Sequence, residues 1–378
     1  MKVLIAPDSF KESLSAMGVA SAIEQGLAEV ISPLEVIKLP VADGGEGTVE
    51  AMVAGMGGEI VPCTVTGPLG KPVEAFYGAI NGGETAIVEM AAASGLDLLT
   101  PEERNPLVAT TYGLGELMLH AMDRGARNFI IGLGGSATND AGAGMLQALG
   151  VKLLDKDGNE ISRGGAALAQ VETIDATGLD VRFTEVDIHV ACDVDNPLVG
   201  KRGATYVFGP QKGADEAMLA ELEASLTHFG HALEASTNKS VMELEGAGAA
   251  GGLGAALVAV LSAELKRGID IVLEAVEMKS RLEGCDLVIT GEGRMDSQSV
   301  YGKAPVGVAK LAKAQGIPVV ALVGSLGQGY EAVYDAGIDA VFSVVPGVVT
   351  LPEALAEAEV NLKGVARNLA TSLQLLSR

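Results

Sequence analysis

The sequence is poor in aromatic side chains and in positive charge. Phe, Tyr and Trp make up 3% of its 378 residues, and tryptophan is absent. Proteins that stack nucleic-acid bases need exposed aromatic rings, so this function is disfavoured. Lys and Arg number 26 against 49 Asp and Glu, which gives a formal net charge of −23. This balance argues against nucleic acid or an anionic membrane as the main partner and favours small molecules.

Cysteine is scarce as well. Cys63, Cys192 and Cys285 lie far apart and form no C-x-x-C pair, which favours a reducing, cytoplasmic environment. The apolar stretch at the N-terminus is cut by Pro7 and is too short for a signal peptide. The longest uncharged run, residues 246–263, contains five glycines and few large apolar side chains. We therefore expect a loop and a buried helix there, and no membrane span.

Several familiar catalytic motifs are missing. There is no Walker A loop, because Gly302-Lys303 lacks the following Ser or Thr and the upstream glycine spacing. There is no His-Arg-Asp set of the protein kinases, and Ser136 lacks the G-x-S-x-G context of a hydrolase nucleophile. His228 and His231 have no third ligand nearby in the sequence, which disfavours zinc.

The chain is rich in glycine, and its predicted strands and helices alternate. Glycine contributes 50 residues, well above the average of about 7%, and this indicates many tight turns. Short Val/Ile/Leu-rich runs alternate with amphipathic helices at both chain ends, while the middle mixes strands with Gly-rich loops. The pattern predicts an α/β protein whose two ends build one flavodoxin-like, doubly wound parallel sheet. The predicted domains are 1–60 plus 285–378, and an inserted mixed α/β domain over 61–284.

Polar residues follow the predicted strands of the terminal domain. Ligands of open parallel sheets bind at the carboxyl ends of the strands, so residues at those ends are candidates for a site. They are Asp8, Ser9, Lys11, Asp43, Gly44, Gly45, Glu292, Arg294 and Asp296, with Lys303 at the start of the next helix. Turn formation explains any single loop of this kind. Carboxylates and cations beside glycine on several strands of one sheet edge predict a binding site.

Two glycine-rich loops in the middle of the chain are candidate phosphate cradles. Residues 132–144 follow a predicted strand and open a helix predicted over 139–149, where free N–H groups favour an anion. The candidates in this loop are Gly134, Gly135, Ser136, Asn139 and Asp140. A second loop, 246–252, offers Gly251 and Gly252 before a helix predicted over 253–265. Lys212, in a Gly/Pro loop, is a further candidate phosphate contact.

The first of these loops also fits a different enzyme class. Gly132, Gly134 and Ala137 match the G-x-G-x-x-A dinucleotide fingerprint, and Asp155 lies 23 residues after Gly132. An NAD-dependent hydroxy-acid dehydrogenase therefore stands as an alternative to a phosphate-transferring enzyme. A tight strand–helix turn without any ligand explains the same residues.

A pair of carboxylates ends another predicted strand. In an extended segment Asp193 and Asp195 point the same way, which suits a hard cation such as Mg²⁺. An Asx turn before Pro197 is the competing explanation. The residues alone leave both open.

Six segments together resemble the bacterial glycerate kinases. They are residues 6–16, 40–48, 132–144, 208–214, 246–256 and 289–299, in order over almost the whole chain. The resemblance implies ATP-dependent phosphorylation of D-glycerate to 2-phospho-D-glycerate in a cleft between two α/β domains. Phosphorylation of the 3-hydroxyl is an alternative. Asp195 stands where the family is expected to carry a small hydroxyl residue, so Asp193 is the preferred metal ligand.

Phosphoryl transfer suggests a role for each candidate. The reaction needs cradled phosphates, a divalent metal, a cation that spreads charge and a carboxylate near the acceptor hydroxyl. We expect Mg²⁺ on Asp193 together with Asp8 or Asp43. Lys11, Arg294 or Lys303 would bind the γ-phosphate or the glycerate carboxylate, with Arg294 preferred for the carboxylate. Asp296 is the expected base for the hydroxyl.

Overall fold

A computed structural model describes residues 1–376 and divides the chain into two compact α/β units. Unit 1 consists of residues 1–43, 50–57 and those from 268 onward. Unit 2 consists of residues 44–49 and 58–267. Both units contain sheets with parallel strands, in agreement with the predicted fold class. Every helix among the described residues is too short or too polar to cross a lipid bilayer.

Strands and helices alternate along the chain in three stretches. The first contains β1 (Lys2–Pro7), α1 (Ala16–Ala28), β2 (Glu35–Lys38) and α2 (Thr48–Met56). The second contains β3 (Glu59–Thr66), β4 (Pro72–Ile80), β5 (Thr85–Glu89), α3 (Ala91–Ser94), α4 (Tyr112–Asp123), β6 (Asn128–Gly132), α5 (Ala143–Ala148), β7 (Lys152–Leu154), β8 (Thr173–Asp175), β9 (Asp187–Ala191), α6 (Ala204–Phe208), α7 (Glu216–Thr237), α8 (Ala249–Leu261) and β10 (Glu264–Lys266). The third contains α9 (Gly268–Ala275), α10 (Met278–Arg281), β11 (Leu287–Gly291), β12 (Arg294–Met295), α11 (Ala304–Ala314), β13 (Val319–Val323), β14 (Ser325–Leu326), α12 (Ala332–Asp335), β15 (Ala340–Ser343), α13 (Leu351–Ala356) and α14 (Ala358–Leu376).

Unit 1 contains a five-stranded parallel sheet with the strand order β2-β1-β11-β13-β15. Numbered within the unit, this is the 2-1-3-4-5 order of flavodoxin-like folds, whose switch point lies between the first and third strands. Val3 pairs with Leu287 and Ala6 with Thr290, so the two ends of the chain share one sheet, as predicted. Strands β1, β11 and β13 are almost continuous apolar runs because they are buried on both faces.

Helices α1 and α14 pack against one face of this sheet. Ser15 starts α1 because its hydroxyl accepts a hydrogen bond from the Gly18 N–H, which caps the helix. Buried apolar residues of α1, such as Ile23, join a core with those of α14, such as Leu362. Gly26 allows this close approach, since a Cβ at this position would overlap the carbonyl oxygen of Lys363.

Unit 2 contains a mixed six-stranded sheet with the order β3-β4-β5-β6-β9-β10. Strands β5, β6, β9 and β10 run parallel, while β4 pairs antiparallel with both β3 and β5. Glu89, Gly132 and Ala191 are in register at the carboxyl ends of three parallel strands. The loops that follow β6 and β9 therefore leave the same edge of this sheet. Helices α4, α5 and α8 contribute buried apolar residues to the core of the unit.

The ends of two helices and the boundaries of the domains differ from the prediction. The helix predicted over 139–149 begins only at Ala143, because Ala141 and Gly142 have left-handed φ values of 48° and 75°. The helix predicted over 253–265 ends at Leu261, and β10 follows. The sequence predicts residues 268–284 in the inserted domain, but they lie in unit 1, where Ile269 of α9 packs against Gly307 of α11. Residues 44–49 and 58–60, predicted in the terminal domain, lie in unit 2.

Two glycines of the α1–α14 pair should respond in opposite ways to alanine. Gly26→Ala places a Cβ against the α14 backbone, so we expect the free energy of unfolding to fall by about 1–3 kcal/mol. Gly364→Ala, within α14, meets no atom within 4 Å and should raise it by about 0.5–1 kcal/mol, because glycine is a poor helix former. Urea unfolding of both variants beside the wild type measures the two changes. A neutral Gly26→Ala would contradict the close packing of these helices.

Candidate functional site

Two carboxylates lie at the switch point of the unit 1 sheet. Asp8 follows β1, and Glu292 follows the neighbouring strand β11. The Asp8 N–H donates to the Gly291 carbonyl oxygen at 2.9 Å, which ties the two loops together. The Ser9 N–H donates to Asp8 Oδ1 at 2.6 Å and orients the carboxyl group. Folds of this class bind ligands at this edge, so we take it as the primary candidate site.

Asp8 has an unusual affinity for protons. Burial and the nearby carboxylates of Asp43 and Glu292 together raise the pKa of Asp8 to about 7, and hydrogen bonds from Ser9 limit the rise. A carboxyl group that titrates near neutral pH can take up and release protons under working conditions. Such perturbed groups are concentrated at functional sites. The pKa of Asp8 therefore supports the assignment made from the topology.

Glu292 is buried, and both of its carboxylate oxygens are engaged. The Ser299 hydroxyl donates to Oε1 at 2.6 Å, and Lys303 Nζ donates to Oε2 at 3.3 Å. Burial raises the pKa of Glu292, and its contacts with Ser299 and Lys303 oppose the rise. An ammonium group has three N–H donors, so this contact leaves Lys303 able to bind an anion as well.

A small pocket lies next to these residues. The short strands β12 and β14 pair in parallel, and the residues that follow them come together. The pocket has a volume of about 380 Å³ and is lined by Arg294, Asp296, Ser297, Gln298 and Gln328. Arg294 and Asp296 were predicted from the sequence, and the other three were not. Ser297 and Gln298 belong to the segment 289–299, but Gln328 follows a different strand and had no sequence signal.

Hydrogen bonds hold the loop that carries Asp296. Asp296 Oδ1 accepts from the Gln298 N–H at 2.9 Å, and the Asp296 N–H donates to Ser299 Oγ at 3.1 Å. Because Ser299 also donates to Glu292, one hydroxyl joins the buried carboxylate to the pocket. Arg294 Nε lies 3.5 Å from Asp296 Oδ2, and the Arg294 side chain is 69% exposed. Because the guanidinium group is exposed and the two atoms are 3.5 Å apart, this ion pair is weak, and a ligand anion can compete for Arg294.

Lys11 and Asp43 belong to the same edge of unit 1. Gly293 packs against the backbone of Phe10 and Lys11, where a Cβ would meet Phe10 Cα at 3.5 Å and the Lys11 nitrogen at 3.6 Å. Asp43 is close enough to Asp8 to raise its pKa. Unit 1 thus brings together, from four separate segments, the predicted residues Asp8, Ser9, Lys11, Asp43, Glu292, Arg294, Asp296 and Lys303.

The glycine loop after β6 differs from the predicted cradle. Within residues 133–140 only Gly134 and Gly135 are exposed, while Ser136, Asn139 and Asp140 are buried. Helix α5 has six residues and starts well beyond the exposed glycines, so no helix N-terminus lies at them. The backbone of Gly44 and Gly45 packs on this loop, and a Cβ on Gly132 would overlap the Gly44 carbonyl oxygen. The exposed backbone of Gly134 and Gly135 is the part that a ligand can reach.

Asp140 organises this loop from inside. Its carboxylate accepts hydrogen bonds from the Thr111 N–H and hydroxyl and from the N–H groups of Gly142 and Gly144, at 2.8 to 3.2 Å. Burial raises the pKa of Asp140, and these four donors oppose the rise. The predicted ligand contact is therefore a scaffold residue that fixes the backbone.

Lys212 is a second buried support of the loop. Its Nζ donates to Ser136 Oγ at 2.8 Å and to the Thr138 carbonyl oxygen at 2.6 Å. Burial lowers the pKa of Lys212 to about 7, although the Asp140 carboxylate opposes this. With 1% of its surface exposed, Lys212 braces the loop and does not reach an external phosphate directly.

The second glycine loop is buried against other parts of the backbone. Gly251 and Gly252 are buried with φ values of 67° and 92°, and the Gly251 carbonyl oxygen accepts from the Ala141 N–H at 2.9 Å. A Cβ on Gly251 would overlap the Thr138 carbonyl oxygen. These glycines are thus required by backbone geometry and close contact, and the loop has no room for the predicted phosphate.

The dinucleotide fingerprint lacks its structural context. In a dinucleotide-binding unit the strand after the glycine-rich turn and helix joins the same parallel sheet. Here β7, which precedes Asp155, pairs antiparallel with β8 in a separate two-stranded sheet. Asp155 is half-buried and accepts backbone hydrogen bonds within its own turn. The match at Gly132, Gly134 and Ala137 therefore reflects a tight turn.

The predicted metal ligands do not form a cage. Asp193 and Asp195 are exposed after β9, and Asp195 Oδ2 pairs with Arg202 at 2.9 Å. Within residues 1–376, no three His, Cys, Asp or Glu side chains form a group that could hold a metal ion. The described residues thus do not fit a resident metal held by the protein alone.

The raised pKa of Asp8 predicts a pH-dependent cost to stability. The unfolded chain releases this proton near the ordinary Asp pKa of about 3.9, whereas the folded protein holds it up to about 7. The folded protein therefore loses stability as pH rises through that interval. We expect Asp8→Asn to become more stable relative to the wild type between about pH 4 and pH 7, with a constant gap above that range. The urea midpoints of the wild type and Asp8→Asn at pH 5 and pH 8 measure this difference in stability. Asp97→Asn, at an exposed position, is the control. A gap that is the same at both pH values would contradict the burial of this charge.

Known proteins resemble this chain over nearly its whole length. The family model described as the Glycerate kinase family matches residues 3–374. A glycerate kinase of Bacillus subtilis (strain 168) is 56% identical over 99% of this chain and 98% of its own length. Glycerate 2-kinase of Escherichia coli (strain K12) is 53% identical, with the same two coverages. A crystal structure named for glycerate kinase 2 of Salmonella typhimurium LT2 has a TM-score of 0.93 and 52% identity, covering 100% of this chain and 99% of its own. The chain therefore belongs to the glycerate kinase family.

Proposed function

We propose that this enzyme transfers the γ-phosphoryl group of ATP to the 2-hydroxyl of D-glycerate, giving 2-phospho-D-glycerate and ADP. The observation that carries the proposal is the Arg294–Asp296 pocket at the switch-point edge of unit 1, which offers a cation and a carboxylate to one small ligand. The relative named glycerate 2-kinase supports the 2-position.

Arg294 is the proposed partner of the glycerate carboxylate. A guanidinium group binds a carboxylate through two parallel N–H donors, which fixes the orientation of the acceptor as well as its position. The weak contact with Asp296, at 3.5 Å, leaves the fork able to make this interaction. Binding of glycerate would draw Arg294 away from Asp296 Oδ2.

Asp296 is the proposed base. Its Oδ1 is occupied by the Gln298 N–H, so Oδ2 is the oxygen that can accept the hydroxyl proton. As the glycerate oxygen forms its bond to the γ-phosphorus, the bond from that phosphorus to the ADP oxygen breaks and the proton passes to Oδ2. Asp8, with its pKa of about 7, is the next candidate for this step.

The remaining predicted residues are proposed contacts of the phosphates. Lys303 and Lys11 would stabilise negative charge on the transferred group. The exposed backbone of Gly134 and Gly135 offers N–H groups to a nucleotide phosphate. We propose that Mg²⁺ arrives with ATP, since this ion is commonly held by substrate phosphates and only one or two carboxylates. Asp193, exposed after β9, is the carboxylate that we propose for this ion.

The identity of the product tests the reaction. The protein is incubated with ATP, Mg²⁺ and D-glycerate, and the product is followed by ³¹P NMR. We expect the resonance of 2-phosphoglycerate and a matching amount of ADP. A 3-phosphoglycerate resonance would overturn the proposed position, and turnover of NADH with the corresponding keto acid would favour the dehydrogenase alternative.

Two substitutions in the pocket should have different kinetic effects. Arg294→Lys keeps the charge but loses the fork, so it should mainly raise the KM for glycerate. Asp296→Asn keeps the shape but loses the proton acceptor, so it should lower kcat by roughly 10²–10⁴-fold and leave the KM for ATP almost unchanged. Steady-state kinetics with each substrate varied separately measure both. An Asp296→Asn enzyme with near-normal kcat would exclude Asp296 as the base, and Asp8 would take its place.

A further inference from the structure

Three polar side chains of the pocket have no role in the proposed reaction. Ser297, Gln298 and Gln328 line it together with Arg294 and Asp296. Ser297 and Gln298 are neighbours of Asp296 in sequence, so their presence follows from the loop itself. Gln328 comes from a different loop, and the fold has to bring it there.

The backbone around Gln328 is fixed against the Asp296 loop. The Gly327 N–H donates to the Met295 carbonyl oxygen at 2.7 Å, and the Ser297 N–H donates to the Gln328 carbonyl oxygen at 3.1 Å. These bonds continue the contact between the two segments beyond the ends of β12 and β14, as far as Ser297 and Gln328. The position of residue 328 relative to the pocket is therefore set by main-chain geometry.

The two flanking glycines leave Gln328 as the side chain that this turn presents. A Cβ on Gly327 would lie 2.6 Å from Asp296 Cβ and 3.1 Å from Arg294 Nε. Gly329 has a φ of 74°, and a Cβ there would lie 3.0 Å from Ser297 Cβ. Both glycines thus lie directly against the pocket residues, and the single side chain of the 327–329 turn belongs to Gln328.

An amide at this position matches a particular chemical group. Once Arg294 takes the carboxylate and Asp296 the reacting hydroxyl, glycerate has one further polar group, its second hydroxyl. A hydroxyl both donates and accepts, and a glutamine amide offers both functions without a charge. A cation here would compete with Arg294 for the carboxylate, and an anion would repel it.

We propose that Gln328 binds the non-reacting hydroxyl of the acceptor and so selects dihydroxy acids over monohydroxy acids. This inference rests on the proposed function, because it takes glycerate as the ligand of the pocket. A site that hydrogen-bonds a substrate hydroxyl discriminates strongly against an analogue that lacks it, since the polar group of the protein then loses its partner. Lactate, which has the carboxylate and the 2-hydroxyl but no 3-hydroxyl, is the matched probe.

The test compares the two acids on the wild type, Gln328→Met and two matched variants. Gln328→Met has a similar shape but cannot hydrogen-bond in the same way, so it should raise the glycerate KM about 10- to 100-fold. The inhibition constant of D-lactate, measured as a competitor of glycerate, should change less than about twofold, because lactate never made this contact. Gln25→Met, on the exposed side of α1, should change neither value. Gln298→Met removes the other amide of the pocket, and we expect it to lack the selective effect on the glycerate KM.

Each other outcome would overturn the assignment. Equal increases in the glycerate KM and the lactate inhibition constant would mean that the substitution only disturbs the pocket. No change in either value would remove Gln328 from recognition, and a selective effect of Gln298→Met in its place would move the role to that residue. Binding of ¹³C-glycerate followed by NMR without ATP separates this proposal from the reaction. A wild type that binds glycerate but makes no phosphoglycerate would refute the proposed function alone, and absence of binding would refute the pocket assignment.

Discussion

The parallel pairing of β1 with β11 is the constraint on which the unit 1 site depends. It joins residues 284 positions apart in the chain, such as Val3 and Leu287, and places Asp8 beside Glu292 at the carboxyl ends of adjacent strands. The strand order reverses at this point, and in open parallel sheets such a point is where ligands bind. The backbone bond from Asp8 to Gly291 then fixes the spacing of the two loops.

Keeping several carboxylates together at this edge of the sheet lowers the free energy of unfolding. Asp8, Asp43 and Glu292 would repel one another when ionised, and partial burial removes much of the water that would screen them. Ser299 and Lys303 offset this for Glu292, and the Ser299 hydroxyl extends the support to the Asp296 backbone. The buried Glu292 carboxylate thus helps to hold a loop in which the side chains of Arg294, Ser297 and Gln298 are exposed.

In unit 2 the polar side chains of the glycine loop and of Lys212 are buried and support the backbone, whereas polar side chains at the unit 1 edge are exposed. Asp140 and Lys212 are buried, and their hydrogen bonds are directed at the loop backbone. Buried polar groups are stable only when such partners are present. Their burial explains why a segment rich in Ser, Asn and Asp, which resembles a ligand site in sequence, exposes little more than the backbone of two glycines.

The sequence by itself determined the fold class, the shared sheet of the two chain ends and the family. Apolar strands, helical periodicity and the six segments that resemble the family are local features of the sequence. Each can be recognised without knowing which distant residues it contacts. It also placed Asp8, Glu292, Arg294 and Asp296 after neighbouring parallel strands, because a residue that follows a strand in the sequence lies at that strand's end in the sheet. Burial and contacts between distant loops were decided only by the tertiary structure. The roles of Asp140, Lys212 and Gly251 changed for this reason, since their neighbours lie in other parts of the chain. Gln328 entered the pocket for the same reason, because the pairing of β12 with β14 brings together two loops that no sequence spacing relates.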